Sequence, residues 1–129
     1  MPDPSTPVRV AYFYKTRWGA HDEFIELFTR NHWPILREQL ADGRFLGVTL
    51  EIPRFHGDGR ADWDALVTIT YRDGSAMEAH SEAEIATRLF PDQARYQSEE
   101  RRRFELLEAH WDTPLEAVPL PPYGTGSAG

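Results

Sequence analysis

The chain has 129 residues, 40% hydrophobic and 27% charged, with a net charge of −7, which suits one domain with a single core. The acidic balance argues against nucleic acid or an anionic lipid surface as a partner. There is no cysteine, so disulfides, thiolate metal sites and cysteine nucleophiles are excluded.

Residues 1–7 are polar and proline-rich, with no apolar signal core, and read as a flexible lead-in. No run of the chain reaches membrane-spanning length, so a cytoplasmic protein is expected. Val8 to Lys15 alternates as a strand does, with Val8, Val10, Tyr12 and Tyr14 on one side and Arg9, Ala11, Phe13 and Lys15 on the other. A helical pattern follows from His21 to Ala41. Asp22 and Glu23 favour its first turn and Gly43 stands just past its end. Phe24, Leu27, Phe28, Ile35 and Leu36 make the apolar face; Asn31 falls inside that face and His32 on its flank. Pro34 cannot donate to the carbonyl of Arg30, so a kink or break is expected there.

Two more alternating runs, Phe45 to Phe55 and Trp63 to Arg72, flank a Gly/Asp-rich connection. Leu46, Val48, Leu50 and Ile52 share one face of the first run. On the second, Trp63, Ala65, Val67, Ile69 and Tyr71 share a face. The opposite sheet face is mixed, with Arg9, Glu51, Thr68, Thr70 and Arg72, and suits either solvent or a second copy across a two-fold axis. In the connection, His56, Asp58, Asp62 and Asp64 match no calcium loop and have no second histidine at ligand spacing. Arg54, His56 and Arg60 could instead close over an anionic ligand. Ser81 with Glu84 reads as a capping box. Pro91 then divides a short helix ending at Phe90 from a longer one running from about Asp92 to His110. Tyr96, Phe104, Leu107 and Trp111 form its inner stripe, with Glu100 on the same stripe. Thr113 to Leu120 supplies a short last strand, and residues 121–129 read as a disordered tail.

The order β-α-β-β-α-β is the ferredoxin-like plan, so the fold class is α+β with the domain over residues 8–120. Together with Asn31-His32-Trp33-Pro34 and the Tyr71-to-Met77 segment that precedes His80, this order resembles the dimeric α+β barrel superfamily. That group includes antibiotic-biosynthesis monooxygenases, EthD-like proteins, stress-responsive barrel proteins and the NIPSNAP family. The resemblance implies a homodimeric α+β barrel with a pocket in each subunit between sheet and helices. It implies activities ranging from cofactor-free oxygenation and aldol cyclisation to haem degradation. The chain departs from the haem-binding members in showing no clear proximal histidine motif.

His32 with Asn31 is the leading catalytic pair, since histidine exchanges protons near neutral pH and asparagine can hold a carbonyl or enolate. The competing reading is a buried polar pair satisfying the carbonyl freed by Pro34. Glu100 is a candidate base, or else the partner of Arg101, Arg103 or a sheet arginine. Tyr12, Tyr14, Tyr71, Tyr96 and Phe104 are candidate substrate-binding residues or plain core aromatics, with His80 in reserve. The expected function is a small-molecule enzyme without metal or organic cofactor, oxygenase- or cyclase-like, acting on an aromatic or polyketide-like compound. Its expected partners are that ligand and a second copy of the chain. The alternatives are a non-catalytic binding or interaction protein of the same fold and a haem-binding or haem-degrading one.

Overall fold

Alternating aromatic and β-branched residues set the first strand, β1 (Val8–Thr16), which sends Val10 and Tyr14 into the core. The computed structural model describes residues 5–55, 62–78 and 82–122. Residues 1–4, 56–61, 79–81 and 123–129 lie outside them, and with them His56, Arg60, His80 and Ser81. After β1 the chain forms α1 (His21–Leu27), a π-helical turn (Phe28–His32) and α2 (Trp33–Ala41). Strands β2 (Phe45–Glu51) and β3 (Ala65–Tyr71) come next. Helices α3 (Gly74–Glu78), α4 (Glu82–Leu89) and α5 (Gln93–Glu105) precede β4 (Leu107–Leu115).

The strands form one antiparallel sheet in the order β2-β3-β1-β4, with the helices over one face. This is the α+β, ferredoxin-like architecture that the order of periodicities predicts. Phe24, Leu27, Phe28 and Leu36 press against Val10, Tyr14, Val67 and Ile69 to make the main core. Ile35 instead packs with Ile85 and Ala86 of α4.

Pro34 acts as a widening of the helix rather than a break. With no N–H at Pro34, the ladder resets one residue earlier, and the Trp33 N–H donates back to the Phe28 carbonyl. Pro34 then occupies the first turn of α2, where a missing donor costs nothing. Gly43, at φ +84°, ends that helix as expected.

Three expectations along the sheet need correction. A bulge between Phe45 and Gly47 turns Phe45 inward, opposite Tyr71, and leaves Leu46 exposed. Trp63 precedes the start of β3, so alternation does not hold it, and its ring meets Phe13 edge-on at 5.5 Å. The last helix stops at Glu105, and the strand begins at Leu107 rather than Thr113. Trp111 therefore belongs to β4, stacked on Phe13 at 5.3 Å on the face away from the helices.

Candidate active site

Register decides which side chains meet under the helices. Tyr12 pairs with Val67 and Asp112, and Tyr14 with Ala65 and His110, so all these side chains share the helix-facing side of the sheet. Val10 sits opposite both Ile69 and Pro114 in the same way. A cavity of about 180 Å3 opens there, lined by Tyr12, Tyr14, His32, Arg103, Phe104 and His110. A second hollow of about 380 Å3 adjoins it through the shared residues Tyr12, Tyr71 and Glu82, with Gln39 and Asp112 on its walls.

The hydroxyls of Tyr12 and Tyr71 hydrogen-bond each other at 2.5 Å. Burial pushes both up, and the shared bond raises Tyr12 further while drawing Tyr71 back down. Burial pushes Tyr14 up to about 12, against a lowering pull from the Arg103 guanidinium. All three phenols are therefore neutral donors at physiological pH. His32 meets Phe28 edge-on at 5.3 Å. Burial, with the charges of Arg103 and His110, holds its imidazole down at about 3. It offers one N–H and one lone pair, and in the free protein it is a weak base.

Arg103 is the most confined group here. It is 2% exposed, and its guanidinium lies 4.6 Å from the Phe104 ring centre and 5.9 Å from those of Phe24 and Phe28. Its Nε and Nη2 donate to the two carboxylate oxygens of Glu100 at 2.8 and 3.0 Å. Nη1 is buried and has no hydrogen-bond partner among the described residues. On β4, the His110 ring stacks on Tyr14 at 4.4 Å. Its Nδ1 donates to the Phe13 carbonyl at 2.9 Å, and its Nε2 faces Asp112 Oδ1 at 3.3 Å.

The cavity thus gathers His32, Tyr12, Tyr14, Tyr71 and Phe104, but not the whole expected set. Asn31 points away from His32, toward α5, where its amide donates to Glu99 at 3.1 Å. Asn31 lines the groove beside Glu99 and His32 the sheet cavity, so the two serve different hollows. Tyr96 is also on that far side, stacked on Phe90 at 4.6 Å in a groove with Asn31. In that groove Glu99 is already engaged by Arg30, Arg95 and Asn31. The sheet cavity, by contrast, keeps a buried donor unused. Glu100 does not enter as a base, because both its oxygens serve Arg103. His80 lies outside the described residues.

Sequence reasoning offered Arg103 only as one possible partner of Glu100, the pairing the structure shows, and missed His110, Asp112 and Glu82. Arg103 was legible at seven residues from Tyr96 and three from Glu100, on the same helical stripe. His110, Asp112 and Pro114 alternate against Ala109, Trp111 and Thr113, a strand signal hidden by extending the helix to His110.

No family model matches the chain, and no curated relative matches its sequence. Solved structures do match. A NIPSNAP family protein from Agrobacterium tumefaciens is 20% identical, with 92% of this chain and 99% of that one covered and a TM-score of 0.55. A dimeric ferredoxin-like protein from an uncultured marine organism is 7% identical over 93% and 97%, with a TM-score of 0.58. SnoaB, a cofactor-independent oxygenase from Streptomyces nogalater, is 16% identical over 90% and 97%, with a TM-score of 0.53. The chain shares the ferredoxin-like α+β fold of these solved structures. At these identities the likeness concerns the fold, and the chemistry has to come from the cavity itself.

Proposed function

We propose that the chain is a small-molecule enzyme that needs no metal or organic cofactor and acts on an aromatic or polyketide-like compound under its helices. The observation that carries this reading is the cavity lined by Tyr12, Tyr14, His32, Tyr71 and Arg103 between sheet and helices. Aromatic walls offer stacking, while phenols, a neutral imidazole and an unused guanidinium N–H are fixed donors for oxygen atoms. The fold likeness to a cofactor-independent oxygenase is consistent with it. Oxygen uptake with a hydroxyanthrone, a phenolic ketone that oxygen converts to a quinone and water, tests the reading. The protein should accelerate uptake above buffer, and the Tyr12→Phe/Tyr71→Phe pair should lose roughly tenfold or more of that rate. Saturable binding without any rate increase would make the chain a ligand-binding protein instead. The low basicity of His32 is the observation that favours this second reading.

The working unit we propose is a homodimer. Ala11, Phe13, Leu66, Trp111 and Leu115 share the sheet face that carries no helix, and Trp111 and Leu115 are 39% and 43% exposed. This apolar patch, on a face that also carries Arg9, Thr68 and Thr70, suits a second copy, and one of the fold neighbours is itself dimeric. Light scattering at micromolar concentration should give a dimer mass for the native chain. Trp111→Glu should shift it to a monomer, because it places a charge in the middle of the patch. A native monomer would remove this proposal.

A further inference from the structure

We propose that Arg103 anchors the ligand, its free Nη1 taking the carbonyl oxygen of a neutral aromatic ketone, and that the cavity discriminates against carboxylates. The inference rests on reading the cavity as a ligand site and adds which chemical class it holds. Arg103 is 2% exposed and lines the cavity. Two of its nitrogens are satisfied by Glu100; the third makes no formed hydrogen bond among the described residues, with the Tyr14 hydroxyl the acceptor nearest to the guanidinium that a ligand oxygen would have to outcompete. A buried donor without an acceptor is unfavourable, so an acceptor oxygen delivered by a ligand recovers that loss.

Charge decides which acceptor. Glu100 already neutralises Arg103 through two hydrogen bonds. Glu82 and Asp112 add carboxylates to the walls of the adjoining hollow, and His110, beside Asp112, adds positive charge only when protonated. A ligand carboxylate would bring a further negative charge into a site with no spare positive one among the described residues. A ketone oxygen takes the Nη1 hydrogen bond without that repulsion. The aromatic part of the ligand follows from the walls: Phe104 beside the guanidinium, Tyr14 stacked on His110, and the Tyr12–Tyr71 pair.

Calorimetric titration of the full chain with α-tetralone, naphthalene and α-naphthoate at neutral pH tests this. These probes share a bicyclic frame and differ in the oxygen they present. The ketone should bind roughly tenfold or more tighter than naphthalene, and the carboxylate should bind more weakly than the ketone. Arg103→Met alone strands the Glu100 carboxylate, so the informative variant is Arg103→Met/Glu100→Gln, with its fold checked by circular dichroism. It should keep naphthalene binding and lose the preference for the ketone. A preference that survives in this variant overturns the role of Arg103, and tighter binding of α-naphthoate overturns the ligand class. If none of the three probes binds the native chain, the reading of the cavity as a ligand site fails first, and this inference fails with it.

Discussion

Replacing Arg103 by Met should lower the unfolding free energy by about 3–5 kcal/mol, read from the urea midpoint at unchanged slope. The guanidinium is 2% exposed, and the side chain of Glu100 beside it is 16% exposed. Removing the cation leaves that carboxylate with neither its charge partner nor two of its hydrogen bonds. The contacts with Phe24, Phe28 and Phe104 are lost as well. Adding Glu100→Gln should recover a substantial part of the loss, since an amide tolerates burial far better than a lone carboxylate. A double-mutant cycle therefore separates the pair from the packing. If the single variant were within about 1 kcal/mol of the native chain, Arg103 would behave as a surface cation, and its confinement in the core would be wrong.

The fold was legible because its signals are periodic and local. Alternation from Val8 to Lys15 and from Ala65 to Tyr71 assigns faces in β1 and β3 without knowledge of the partners. Leu46 failed because a bulge is a property of two strands, and alternation within one strand cannot announce it. The last helix was overextended because Leu107 and Trp111 fit a four-residue spacing as well as a strand. The candidate site was legible only in part, for a similar reason. Tyr12, Tyr14 and Tyr71 follow from strand faces, and His32 from its place on the helix flank. Asn31 looked equivalent to His32 because both stand near the apolar face. What separates them is Glu99, an acceptor 68 residues away that only tertiary packing supplies. The role of Glu100 likewise depended on whether Arg103 turned inward beside it, and the helical stripe offers that pairing only as one of several open to Glu100. The unused nitrogen of Arg103 is invisible in sequence, since it is defined by what the surrounding fold fails to offer.

The stability of the chain should fall by about 2 kcal/mol between pH 7 and pH 5 through His32 alone. The imidazole is held at about 3 in the folded protein, against 6.5 for the unperturbed side chain, first by burial and then by Arg103 and His110. Between those two values the unfolded chain binds a proton that the native chain refuses. Stability therefore rises with pH across this window, is fully present above about 6.5 and declines as the solution is acidified toward 3. At pH 5 the size of the effect depends on the unfolded value far more than on how far below 5 the native one lies. Glu23, Glu99 and Asp73 are held low by their partners and also lose stability on acidification, but only as pH falls through the lower carboxylate range. The window above pH 5 thus belongs mainly to the histidine. His32→Gln, which cannot titrate, should flatten the urea midpoint between pH 7 and pH 5 while leaving the steeper fall below about 4 in place. An unchanged slope in that variant would mean that His32 takes up its proton freely in the folded state. In that case it would stand in contact with water, not under the helices against Arg103.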